Sequence, residues 1–113
     1  MTQLCRKLSI GLAMVIAFFS LLPADTAISS GFGDKTEHFA AFALLAASSS
    51  HGWARRRWWQ VGAICVLFGG AIEVAQAFSP GRFPDPLDWL ADTVGVAIGI
   101  AAASLYRRSR SRS

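Results

Sequence analysis

WWQVGAICVLFGGAIEVAQAFSPGRFPDPLDWLADTVGVAIGIAAASLY, residues 58–106, holds two apolar runs, Trp58–Phe78 and Leu87–Tyr106, separated by a connector in which proline, glycine and charge collect. Each run has about the 20 residues that a helix needs to cross a hydrocarbon core of about 30 Å. Towards the N-terminus two further runs follow the same logic. Leu8–Ala24 is stopped by Pro23 and the polar stretch from Asp25 to Lys35; Glu37–Trp53 is the weakest, because Ser48, Ser49, Ser50 and His51 dilute its far end. The expectation is an all-α membrane protein: one domain over residues 1–113, a four-transmembrane-helix bundle with helices at about 8–24, 37–53, 58–78 and 87–106, and a basic tail at 107–113.

Composition argues the same way. Of the 113 residues, 53% are apolar and only 16% charged, against about 25% charged in ordinary soluble domains, too few to cover a water-facing surface. The length allows one compact unit. Cys5 and Cys65 are too few for a disulfide scaffold and are expected to be free thiols. A net charge of +4 could suggest nucleic acid, but placement decides otherwise. With helices alternating in direction, Arg6, Lys7, Arg55, Arg56, Arg57, Arg107, Arg108, Arg110 and Arg112 fall on one side and only Lys35 and Arg82 on the other. Basic residues in short loops mark the cytoplasmic side, so both termini are expected in the cytoplasm of a multi-pass inner-membrane protein. Trp53, Trp58, Trp59 and Tyr106 flank the same ends, as interfacial rings do. The tail RRSRSRS then reads as an anchor attracting anionic lipid, not as a nucleic-acid arm. Arg6 and Lys7 before an apolar run also describe a signal peptide. Cleavage after Ala24 or Ala27 would place Leu22 or Asp25 where a small residue is wanted, so the first helix is expected to be retained.

The seven acids, Asp25, Asp34, Glu37, Glu73, Asp85, Asp88 and Asp92, all lie on the side opposite the arginines or in the helix halves nearest it. Ionisable residues within spans are costly, so they face a bundle interior and often mark function. At 1.5 Å per residue, Glu73 and Asp92 each sit about 7.5 Å inside their helix ends, and His38 lies near the start of the second helix. Three helices thus deliver useful side chains to one layer. Gly69, Glu73 and Gln76 share a face of the third helix, and Asp88, Asp92, Gly95 and Gly99 continue a stripe on the fourth. Gly95 and Gly99, extended by Ala91 and Ala103, form a small-residue track for close helix packing. The third helix, with Gly62, Gly69 and Gly70, is the expected partner. Asp34 stands four residues before His38 and would orient the imidazole if helix already begins there. In the connector, Pro80 and Gly81 make a turn and Asp85 or Asp88 caps the fourth helix. Arg82 is available to pair with the carboxylates or to hold a phosphate or carboxylate ligand.

Two segments, DKTEHFAAFALL (residues 34–45) and GGAIEVAQAFSPGRFPDPLDWLADTVGVAIG (residues 69–99), resemble the VanZ-like family of small bacterial membrane proteins, named after a protein associated with resistance to the glycopeptide teicoplanin. The resemblance implies that Asp34, Lys35, His38 and Phe39 stand for the family's D-K-x-x-H-F element and Glu73 and Gln76 for its third-helix E-x-x-Q. Gly81, Arg82, Asp88, Asp92 and Gly95 then stand for its loop and fourth-helix pattern. It also implies a place in the cell envelope, handling a lipid-linked component or peptidoglycan precursor, or modulating glycopeptide susceptibility.

Several readings of Asp34, Lys35, His38, Glu73, Gln76, Arg82, Asp85, Asp88 and Asp92 stay open. They are a polar network that only fixes helix packing or docks a partner, in a non-catalytic helper subunit. They bind the polar head of an envelope molecule, with Arg82 and Lys35 toward phosphate. Or they catalyse, with His38 and Glu73 as acid and base. A divalent cation would suit His38 with Glu73, Asp88 and Asp92, but without spaced pairs such as HExxH no metal and no cofactor is expected. His51 sits at the opposite end, Cys65 reads as a small apolar packing residue, and Phe18, Phe19, Phe39, Phe42 and Phe68 read as core or lipid-facing rings.

Overall fold

The computed structural model of the chain describes residues 2–22, 34–79, 81 and 85–112. All regular structure among them is helical: α1 (Thr2–Ser20), α2 (Asp34–Gly52), α3 (Trp58–Gln76) and α4 (Pro86–Arg112). Two ends differ from expectation. α1 starts well before its apolar run, taking Arg6 and Lys7 into the helix, and stops at Ser20 instead of Ala24. α4 continues through the arginine-rich stretch to Arg112, because arginine is a good helix former and nothing there breaks the helix.

Contacts between the helices give their directions. Arg6 and Ser9 of α1 meet Gly52 and Ser49 of α2, an antiparallel pair. Gly62 and Gly69 of α3 face Ile100 and Asp92 of α4, again antiparallel. His38 and Ser50 of α2 meet Asp92 and Arg107 of α4 in the same order, so α2 and α4 run parallel. One end of the bundle therefore gathers the arginines and the other the carboxylates. At the basic end the last carbonyls of α2 lack intrahelical donors. Arg6 Nε donates to Gly52 O and Arg107 Nη1 to Ser50 O, both at 2.7 Å, and cations there also complement the helix dipole. Arg6 lies over the Trp53 ring, and His51 packs edge-on against Tyr106.

The bundle is polar inside and apolar outside. Ser9, Ser48, Ser49, Ser50, Glu73, Gln76 and Asp92 are buried, whereas Leu4, Met14, Phe18, Ile64, Leu67, Val74 and Leu105 are exposed. Such a surface suits lipid and would aggregate in water. Its long dimension of 50 Å exceeds a hydrocarbon core of about 30 Å. Three helices, α1, α3 and α4, are long and apolar enough to cross a membrane. This corrects the expectation of four: α2 falls short because charges open it and serines close it. Those serines face protein. Ser49 pairs with Ser9 across α1 at 2.5 Å, and Ser48 bonds back to Leu45 O. The core they adjoin is built from Ile16, Phe42, Leu45, Ala46, Val61, Cys65, Ile72, Val96 and Ile100. Cys5 and Cys65 are free.

The glycine track of α4 also needs correcting, since its partner is α2 and not α3. A Cβ on Gly95 would run into the Phe39 carbonyl oxygen and one on Gly99 into that of Ala43. Two backbones in contact leave no room for a methyl group. Gly62, Gly69 and Gly70 of α3 do face α4, but they meet side chains, those of Ile100, Asp92 and Trp89.

Gly95→Ala and Gly99→Ala should each destabilise the bundle by about 1–3 kcal/mol, the ordinary cost of overpacking. Gly11→Ala, where nothing lies within 4 Å of the added carbon, should be neutral or slightly stabilising. Thermal unfolding in detergent checks this; equal melting temperatures for all three variants would contradict the packing.

Candidate functional site

At the acidic end, α2, α3 and α4 each contribute one side chain to a common point. His38 sits one turn into α2, Glu73 one turn before the end of α3, and Asp92 less than two turns into α4. His38 Nδ1 and Asp92 Oδ1 are 2.9 Å apart. One ligand atom from each of His38, Glu73 and Asp92 lies within 4.8 Å of those of the other two. The register follows from helix packing. Gly95 and Gly99 hold α4 against Phe39 and Ala43, and Asp92 lies one turn further on the same α4 face, level with His38.

Glycine also admits Asp92 on the other side. A Cβ on Gly69 would lie 3.0 Å from Asp92 Oδ2 and 3.3 Å from Phe42 Cε1. Phe42 is fully buried and lies against Phe68, closing the site towards the core. Glu73 is fixed by its neighbour in space: Oε2 accepts the backbone N–H of Asp85 at 2.9 Å. The remaining oxygens, Glu73 Oε1 and Asp92 Oδ2, are buried with no hydrogen-bond partner among the described residues. Such groups are costly in a low-dielectric interior unless something fills the site.

The other predicted site residues disperse. Gln76 shares the buried face of α3, but its Nε2 donates to Ser20 O at 2.8 Å, fastening the end of α1. Ser79 does the same through Leu21 O. Asp85 caps α4, its Oδ1 accepting the N–H of Leu87, with Pro86 as first helical residue. Asp88 lies in the first turn of α4, half-buried, outside the group of three that meet. Helix does begin at Asp34 as expected, yet the carboxylate bonded to His38 is that of Asp92. The side chains of Asp34 and Lys35, and all of Arg82, lie outside the described residues. Gly81 has φ of 74°, the left-handed turn conformation that glycine adopts freely.

A protein-family model described as VanZ/LLP1 matches residues 10–107, nearly the whole chain. The chain belongs to the VanZ/LLP1 family. No curated protein and no solved structure matches it. Family membership and three span-length apolar helices make it a membrane protein. In this VanZ/LLP1 chain a cleft of about 670 Å³ lies towards the basic end, lined by Ser9, Leu45, Arg56, Trp59 and Cys65 among others, and includes none of the three converging residues.

Sequence reasoning missed three contributors to the site. Phe42 read only as a core or lipid-facing ring, Gly69 as a helix-packing residue, and the backbone N–H of Asp85 carried no signal at all. For Phe42 the hint was its i, i+4 spacing from His38, which puts both on one face of α2.

Removing one partner of a buried pair leaves the other charge uncompensated, at a typical cost of about 3–5 kcal/mol. His38→Ala and Asp92→Ala should each show a loss of that order in detergent unfolding. The double variant should lose clearly less than the sum, a coupling that additive losses would refute.

Proposed function

We propose that this VanZ/LLP1 protein is a multi-pass protein of the bacterial inner membrane. In this reading both termini are cytoplasmic and the His38, Glu73 and Asp92 pocket binds the polar head of a lipid-linked cell-envelope component from the outer leaflet. The observation that carries it is the convergence of three ionisable side chains from three helices in an otherwise apolar bundle. Polar groups so placed are expensive and are kept where they do something. The basic end supplies the orientation argument, since arginines accumulate on the cytoplasmic side. α2 crosses with the others in this reading, shielded from lipid by its neighbours. α1 stays attached, consistent with its bonds to α2, Gln76 and Ser79. Lys35 and Arg82 are the cations placed by sequence to meet a phosphate, and acid–base chemistry on the bound head would fall to His38 and Glu73. A change in glycopeptide susceptibility would follow from withdrawing or altering such a precursor.

One observation favours a second reading, a helper subunit whose polar groups only hold the fold. Gln76 and Asp85 are already engaged in fastening α1 and capping α4.

Lipid-resolved mass spectrometry of the purified protein separates the two. Glu73→Gln keeps a carbonyl oxygen for the Asp85 N–H, so melting should hold while a co-purifying lipid-linked species is lost at least tenfold. An unchanged lipid spectrum would leave the helper reading standing. For orientation, reporter fusions after Lys35 and Pro80 should be active outside the cytoplasm and those after Arg57 and Ser113 inside; the reverse pattern would overturn the placement of the pocket.

A further inference from the structure

We infer that His38, Glu73 and Asp92 hold a divalent first-row cation of the Mn²⁺ or Zn²⁺ class between α2, α3 and α4. The donor set is one imidazole nitrogen and two carboxylate oxygens, each from a different helix, all within 4.8 Å of one another. Ligands on opposite sides of an ion bonded at about 2.1–2.4 Å stand about 4.2–4.8 Å apart, and adjacent ones about 3 Å. Small side-chain rotations therefore close this set on a cation.

Independent support comes from the orphaned oxygens. Glu73 is 7% exposed and Asp92 0%, and Glu73 Oε1 and Asp92 Oδ2 have no hydrogen-bond partner. In both residues one oxygen is engaged, by the Asp85 N–H or by His38, while the other is left bare. Support of a ligand from behind with its binding atom free is how metal sites orient their carboxylates. A dication balances both carboxylates at once, which matters where solvent does not reach. The imidazole selects against Mg²⁺ and Ca²⁺, which favour all-oxygen shells, and towards Mn²⁺ or Zn²⁺. No motif such as HExxH announces the site because its ligands come from three separate helices.

The inference deepens the proposed function and rests on the same pocket being a binding site: coordination positions left open on the cation would take phosphate oxygens of the bound head. Phosphate would then meet a pocket containing two carboxylates through the ion instead of against their charge.

The test uses the full chain in detergent, purified through a tag without histidine, stripped with EDTA and titrated with MnCl₂ under electron paramagnetic resonance, with ZnCl₂ in competition. The expected result is one Mn²⁺ per chain, displaced by Zn²⁺, with a rise in melting temperature. Affinity should fall at least tenfold in Glu73→Gln and in His38→Gln, and stay unchanged in His51→Gln at the other end. Wild type that binds no Mn²⁺ or Zn²⁺ and shows no change in melting overturns the inference without relying on any variant, as does binding that Glu73→Gln leaves intact. Lipid spectra with and without EDTA keep the two claims apart. Lipid retained by metal-free protein but lost in Glu73→Gln defeats the cation and leaves the binding pocket; a bound cation with no co-purifying lipid does the opposite.

Discussion

The backbone contact between α2 and α4 is the constraint on which the rest depends. Because Gly95 and Gly99 carry no side chain, α4 rests directly on the Phe39 and Ala43 carbonyls, and the axial register of the two helices is set at one place. That register puts Asp92 opposite His38. In a medium without water, two ionisable groups tolerate burial only when they meet at hydrogen-bond distance. The contact thus determines whether the polar layer is a site or a defect. Gly69 repeats the device on α3, its missing Cβ making room for the Asp92 carboxylate against the Phe42 ring.

Around that seam the chain inverts the pattern of a water-soluble bundle. Serines and carboxylates point inward while leucine, isoleucine and phenylalanine face out. α2 is the helix that gains most from this arrangement. Its opening charges and closing serines would suit lipid poorly, but its exposed carbonyls at the basic end are taken by Arg6 and Arg107, and Ser49 finds Ser9. The arginines therefore act inside the fold as well as at the membrane surface: Arg107 is drawn back onto α2 and is not simply part of a basic tail.

Much of this was legible from residue spacing, and the exceptions have definite causes. Run lengths disclosed the number and order of helices, and the split between arginines and carboxylates disclosed which ends lie together. The one-layer argument for His38, Glu73 and Asp92 needed only helical rise. The partner of the Gly95 and Gly99 track was not legible, because a small-residue stripe signals close approach without saying to which helix. Gln76 was misread for a related reason: periodicity gives a residue's face, but the acceptor, Ser20 O on α1, is distant in sequence. Hydropathy likewise overstated α2 as a span, since it cannot separate a serine facing lipid from one facing another helix. Asp85 was foreseen as a cap, yet its N–H to Glu73 is a backbone interaction that no side-chain pattern encodes.

The VanZ/LLP1 match and the converging triad meet on the same residues, so a functional account stands or falls on whether the triad exists in a bilayer. Magic-angle-spinning NMR on protein with ¹⁵N-imidazole histidine and side-chain ¹³C-carboxyl aspartate and glutamate measures this directly. Only two histidines are present and His51 is at the carboxylate-free end, so any short nitrogen–carboxyl contact belongs to His38. The account predicts a His38 contact that disappears in Asp92→Asn, together with a longer one to Glu73. A His38 ring with no carboxyl carbon near it, or a contact indifferent to Asp92→Asn, would contradict it.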